Sequence, residues 1–186
     1  MKAFLFPGQG CQKEGMGKDL YENFPKAREI FEQANDILGE RFSDTLFSAS
    51  EDLLMDTRYT QPAIFIYEVA LAMGQDEVKP DCVAGHSLGE YAALVVSGAL
   101  TFEETLPFIM TRGQVFYEAF QKHPSAMGAI IGIPDEQVLA VLKQVGDEDG
   151  ENLYIANYNG PGQLAVTGAR ASVKKACQIL KEIGAK

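Results

Sequence analysis

Ser87 stands within Gly85-His86-Ser87-Leu88-Gly89, a G-x-S-x-G run. A serine hydroxyl can attack a carbonyl once a base takes its proton. The two glycines suit a sharp strand-to-helix turn, where the serine backbone is strained and its neighbours must lack bulk. At such a corner the backbone N–H of Leu88 and the start of the next helix can face an oxyanion. The pentapeptide alone is equally a helix cap at a glycine-rich turn. Its surroundings favour the catalytic geometry: residues 81–84 read as a short buried strand after Lys79-Pro80, and residues 88–100 carry helix formers with Gly98 near their end.

Other polar residues stand where chemistry is open to them. Gln9 lies in Pro7-Gly8-Gln9-Gly10, directly after an apolar strand over residues 2–6; the loop is a plain turn or a close approach to a ligand. Gln61 lies in Thr60-Gln61-Pro62, a capping residue and a first-turn proline ahead of an apolar run, so it is a helix-terminal hydrogen bonder or part of a site. Arg112 sits among Phe108, Ile109, Val115 and Phe116, and is either a snorkelling side chain or a bidentate receptor for a carboxylate. Asn157 and Asn159 fall in the hairpin signal of residues 157–163, where turn chemistry accounts for them. Two histidines are available as a base. His86 should be turned away from the serine oxygen by strand alternation, and His123 precedes a proline and reads as a linker residue.

The elements that must position these residues follow from composition and periodicity. With 186 residues, 46% of them hydrophobic, the chain can bury the core of one domain, or of one domain with a small appendage. No apolar run approaches the ~20 residues of a membrane span, and the N-terminus lacks a secretory h-region. Cys11, Cys82 and Cys177 form no C-x-x-C pair, so neither a disulfide framework nor a metal site is indicated, and a reducing cytoplasmic setting is expected. A formal charge of −10 argues against nucleic acid as a partner and requires local cations for any anionic ligand.

Residues 19–38 predict one amphipathic helix or two, and residues 40–59 an irregular surface connection leading into an acidic helix start. A buried helix should open at Thr60-Gln61-Pro62, and another, from a T-x-x-E capping box at Thr101, should run to about Gln121 with a kink or loose turn at Pro107. A boundary is expected at His123-Pro124-Ser125. Beyond it the pattern reads β-α-β-β-α: strand 127–133, helix 134–145, acidic turn 146–150, strand 153–158, turn 159–162, strand 164–168 and helix 170–183 stopped by Gly184. That is a ferredoxin-like unit without its last strand, in a chain of α/β class.

The motifs FPGQG at 6–10, TQPA at 60–63, GHSLGEYAAL at 85–94, Arg112-Gly113 and NYNGPGQ at 157–163 occur in this order. With them the chain resembles malonyl-CoA:acyl-carrier-protein transacylases over essentially its whole length, and more widely the acyltransferase domains of polyketide and fatty acid synthases. The resemblance implies an α/β-hydrolase-like larger subdomain, residues 1–123, with an inserted ferredoxin-like smaller subdomain, residues 124–186, both incomplete at the C-terminus. It implies a ping-pong reaction of fatty acid biosynthesis in which Ser87 takes malonyl from malonyl-CoA and passes it to the phosphopantetheine thiol of acyl carrier protein. Gln9 and the Leu88 N–H would frame the oxyanion, Arg112 would clamp the malonyl carboxylate, Gln61 would line the pocket, and Asn157 and Asn159 would lie near substrate. No cofactor is implied. The family base is a histidine after the inserted subdomain, absent here, so activity is expected to need a C-terminal complement, and the unfinished core to invite that complement or self-association. Cys11 departs from the serine common after this loop. A serine hydrolase and an inactive chain that only binds partners are the alternatives.

Overall fold

The computed structural model describes residues 1–74 and 79–186, which divide into two compact units, Met1–Glu118 and Ala119–Lys186. The first opens with strand β1 (Ala3–Phe6) and continues through helices α1 (Lys18–Asn23), α2 (Pro25–Leu38), α3 (Phe42–Ser48), α4 (Glu51–Met55) and α5 (Thr57–Met73). Strand β2 (Cys82–Gly85), helix α6 (Gly89–Val96) and helix α7 (Phe102–Lys122) follow, α7 carrying the chain across the division between units. The sequence places the boundary at 123–125, whereas the last turn of α7 clusters with the second unit.

Local chemistry accounts for most of these limits. The amphipathic stretch 19–38 is two helices because Phe24 is extended (φ −122°, ψ 105°) and Pro25 starts a new first turn without needing an N–H partner. Residues 40–59 are not an irregular connection. They form α3 and α4, which bury Phe42, Leu46 and Leu54, and the first turn of α5; Ser50 caps α4 by accepting from the Leu53 N–H. The buried helix starts one turn earlier than Pro62 suggests. Asp56 is its N-cap, accepting from the Arg58 N–H at 3.0 Å, while the Thr60 hydroxyl donates to the Asp56 carbonyl at 2.8 Å. Thr101 does cap α7, accepting from the Glu104 N–H at 3.2 Å, and the helix runs through Pro107 without interruption.

The core of this unit is built around α5, whose Ile64, Phe65, Ile66, Val69 and Ala70 are all at most 1% exposed and pack with Phe31, Leu106 and Ile109. Phe65 and Phe102 stack with ring centroids 5.5 Å apart. Strands β1 and β2 pair in parallel from Ala3↔Cys82 to Phe6↔Gly85, which brings the loop after β1 and the turn after β2 to the same end of the sheet. Among the described residues β1 has no strand on its other edge.

In the second unit, β3 (Ser125–Ile131), α8 (Asp135–Asp149), β4 (Leu153–Gly160), β5 (Gln163–Ala169) and α9 (Arg170–Glu182) give a split β-α-β arrangement. Its sheet order is β3-β5-β4, with both pairings antiparallel. Here α8 continues through residues 146–149, read from sequence as a turn, and ends at Gly150 in the left-handed conformation (φ 67°). The hairpin is also tighter than the 159–162 signal implies: β4 extends to Gly160, so Asn157 and Asn159 are strand residues and the turn is Pro161-Gly162. Ile130, Leu164 and Val166 face Val138, Leu142, Val173 and Leu180 in a separate core. Lys186 exchanges both backbone hydrogen bonds with Ile131, each 2.9 Å, alongside β3.

One buried polar group in the first core stands out. Glu68 of α5 is 4% exposed, and neither carboxylate oxygen has a hydrogen-bond partner among the described residues. It borders a cavity of about 600 Å³ that runs along residues 3–7. Burial pushes its pKa from an ordinary 4.5 up to about 8. The folded state therefore holds this proton while the unfolded chain releases it. The contribution to stability is complete below pH 4.5 and is lost as pH rises to about 8. Asp56, Glu148 and Asp149, held below their ordinary values by Arg58 and Lys175, act in the opposite sense at lower pH. Glu68→Gln should flatten the fall in unfolding free energy between about pH 4.5 and 8, as read by urea titrations across that range.

Candidate active site

Strand β2 ends at Gly85, and the chain then turns within three residues into α6. Ser87 takes φ +54°, the only positive value outside glycine among the described residues. The left-handed conformation costs an L-residue roughly 1–2 kcal/mol, so surrounding contacts must impose it. They do so because three glycines let backbones meet. A Cβ on Gly85 would stand 2.2 Å from the Gly89 carbonyl oxygen, one on Gly89 would stand 2.2 Å from that of Phe6, and one on Gly8 would stand 3.3 Å from Ser87 Cβ. The His86 N–H donates to the Phe6 carbonyl at 2.9 Å, pinning the turn to the end of β1. The result is an exposed Ser87 above a buried Leu88, at the N-terminus of α6.

The hydrogen bonds that close this turn use the N–H groups of Gly89, Glu90 and Tyr91, donating to His86, Ser87 and Leu88 carbonyls, and do not use that of Leu88. The Leu88 N–H thus lies at the first turn of a helix, where backbone dipoles favour negative charge. Gln9 follows Gly8 in the loop packed on Ser87, and the loop is closed by Gln12, whose side-chain oxygen accepts from the Gly10 N–H at 2.7 Å.

Arg112 and Gln61 meet directly. The Arg112 Nη1 donates to Gln61 Oε1, and the guanidinium carbon lies 4.5 Å from the Phe116 ring centroid and 5.7 Å from that of Tyr91, which itself packs on Phe108 at 5.3 Å. An arginine held by aromatic faces and one amide is oriented without being neutralised. No acidic side chain pairs with it among the described residues. Gln61 is fully buried. Its Nε2 donates to Thr57 Oγ1 at 2.7 Å, and Thr57 Oγ1 donates to Gln9 Oε1 at 3.4 Å. Gly113 permits this meeting, since a Cβ there would stand 2.9 Å from the Thr57 carbonyl oxygen.

Ser87, Leu88, Gln9, Gln61 and Arg112 therefore all belong to the first unit, and hydrogen bonds link Gln9, Gln61 and Arg112 through Thr57. Asn157 and Asn159 lie on β4 of the second unit. Thr57 is the residue that sequence reasoning missed. Its signal was a four-residue spacing from Gln61, which places the two on one helix face only once α5 is known to begin at Thr57. His86 lies beside Gly8, its Nδ1 3.4 Å from where a Cβ would stand. The cysteines are free, no cluster of described residues could hold a metal ion, and no described helix is long and apolar enough to cross a membrane.

Such chemistry could hold an acyl group on a serine, offer N–H donors to its carbonyl oxygen and present a cation to a carboxylate, and the strand, turn and helix that carry Ser87 define an α/β protein with a serine at a strand-to-helix elbow. The chain belongs to the acyl transferase domain family, which matches residues 3–186. It is 41% identical to the malonyl CoA-acyl carrier protein transacylase of Bacillus subtilis (strain 168), a match covering 99% of this chain and 58% of that protein. The crystal structure of an acyl-carrier-protein S-malonyltransferase from Burkholderia pseudomallei superposes with a TM-score of 0.86 at 36% identity, over 100% of this chain and 61% of that one. A malonyl-transacylase solved in complex with its type II polyketide synthase acyl-carrier protein gives 0.86 at 35% identity, over 99% and 60%. The chain thus spans about three-fifths of the length of these relatives.

The left-handed serine has a measurable cost. Ser87→Gly should be more stable than Ser87→Ala by about 1 kcal/mol, because only the glycine relieves the strain. Equal denaturation midpoints for the two variants would show that φ at this position is unstrained.

Proposed function

We propose that this chain carries the nucleophile, oxyanion donors and carboxylate receptor of a malonyl-CoA:acyl-carrier-protein transacylase of cytoplasmic fatty acid biosynthesis. Its first unit would be the α/β-hydrolase-like subdomain and its second the inserted ferredoxin-like one, which carries Asn157 and Asn159. The observation that carries the reading is the pairing of an elbow serine with Arg112, a cation oriented by Gln61, Tyr91 and Phe116 and without an acidic partner among the described residues.

In this mechanism the Ser87 oxygen attacks the thioester carbonyl of malonyl-CoA as its proton passes to a base. The developing oxyanion is met by the Leu88 N–H and by Gln9 of the loop after β1. The carbon–sulfur bond then breaks, coenzyme A leaves with the proton, and malonyl remains on Ser87 as an ester. The thiol of acyl carrier protein reverses these steps and takes the acyl group. Arg112 holds the free carboxylate through both halves; a fork of two parallel N–H donors selects a carboxylate over the methyl of an acetyl group, which would leave the cation without its partner. The reading assigns the base to a histidine of a segment that follows the second unit in the family, so the chain is expected to act together with such a segment.

Mass spectrometry after incubation with malonyl-CoA, with the C-terminal two-fifths of the Bacillus subtilis relative supplied as a second chain, should find one malonyl group on Ser87 and none in Ser87→Ala. Labelling of another residue, or hydrolysis with no transfer to acyl carrier protein, would count against transacylation. Arg112→Ala should lower malonyl transfer by about a hundredfold or more while changing acetyl transfer by less than about tenfold, since it removes a charge-assisted bidentate contact made only by malonyl.

A further inference from the structure

Strand β1 is paired on one side only. The Lys2 and Phe6 carbonyls accept from the Asp81 and His86 N–H groups, at 2.8 and 2.9 Å, on the side of β2. The N–H and C=O of one strand residue point the same way and alternate along the strand, so those of Ala3 and Leu5 face away from β2. Among the described residues no strand lies there, and Leu5 is 76% exposed. The cavity of about 600 Å³ runs along this edge, walled by Met16, Tyr67, Leu71 and Ala72 and bordered by Cys11 and Lys13. Unpaired backbone groups beside an apolar groove are what an added strand uses.

Glu68 gives that groove a chemical preference. It lines the cavity at 4% exposure, and neither of its oxygens has a hydrogen-bond partner among the described residues. A buried carboxyl without partners is costly. A hydroxyl would supply one proton for two oxygens, whereas a lysine or arginine supplies several N–H donors and the opposite charge. A second copy of this chain is a poor source of that cation: two chains of formal charge −10 repel, and pairing through the same edge about a two-fold axis would set like groups together. The relatives offer another source, since this chain spans about three-fifths of their length and the transacylase reading already calls on a segment that follows the second unit.

We propose that the open edge of β1 is the docking site of an extended polypeptide segment from that C-terminal complement, which pairs with the backbone of Ala3 and Leu5 and sets a lysine or arginine against Glu68. The identity of the segment rests on the transacylase reading; the edge and the Glu68 contact are tested separately. The probe is the C-terminal two-fifths of the Bacillus subtilis relative, added as a second chain to the full chain. Amide exchange at Ala3 and Leu5 should slow by about tenfold or more in the complex. A ¹³C-labelled Glu68 carboxyl should pass from protonated to ionised at neutral pH as the complex forms. Glu68→Leu, which suits an apolar groove at least as well, should weaken the complex by about tenfold or more, because it leaves the incoming cation unpaired. The exchange and carboxyl measurements use the unaltered chain and decide the matter if Glu68→Leu fails to fold. Unslowed exchange at Ala3 and Leu5, a complex as tight with Glu68→Leu, the same protection in a dimer of this chain alone, or no complex at all would overturn the docking site. Malonylation of Ser87 without protection of β1 would overturn it and leave the transacylase reading standing; protection and ionised Glu68 without malonylation would do the reverse.

Discussion

The approach of the Gly89 backbone to the end of β1 is the constraint on which the site depends. No side chain larger than hydrogen fits between Gly89 and the carbonyls of Phe6 and Pro7, so the helix that follows Ser87 begins in van der Waals contact with the strand that precedes Gln9. That one contact sets the distance between Ser87 and the Gln9 loop, goes with the left-handed conformation of Ser87, and leaves the Leu88 N–H outside the turn's own hydrogen bonding. Parallel pairing of β1 with β2 is what makes it available, because only then do both loops leave the sheet at the same end.

The second anchor is α5. It is almost wholly buried, yet its first turn carries Thr57 and Gln61, whose polar atoms are satisfied by Gln9 and by Arg112 from α7. A buried amide is costly unless it is hydrogen-bonded, so burying Gln61 commits it to both partners and makes the arginine's orientation part of the fold's own stability. Glu68, further along the same helix, lacks such partners among the described residues and responds by keeping its proton.

Much of this was legible in the sequence, for reasons that differ by residue. Ser87 was visible because the turn demands glycines on both sides, a steric rule written in adjacent letters. The second unit's order of strands and helices was visible because alternation and amphipathic period are local properties. The start of α5 was not: Pro62 is a strong signal for a first turn, but Asp56 caps earlier and the helix tolerates proline six residues in. That displacement concealed Thr57, whose meaning depends on Gln9 and Arg112, forty-eight residues before it and fifty-five after. Nor could composition distinguish a snorkelling arginine from an oriented one, since the difference lies in which rings flank it. The asparagines of 157–163 were read as turn residues because their letters favour turns, and the hairpin proved tighter than their number suggests.

The presence of a cation at one end also gives the polar chain a single sense. Amides and hydroxyls can each donate or accept, so a row of them has two arrangements, with every donor pointing one way or the other. Arginine cannot accept. By closing the row at Gln61 it removes one arrangement, so the Gln61 amide nitrogen faces Thr57 and the buried helix start carries a fixed direction of hydrogen bonding.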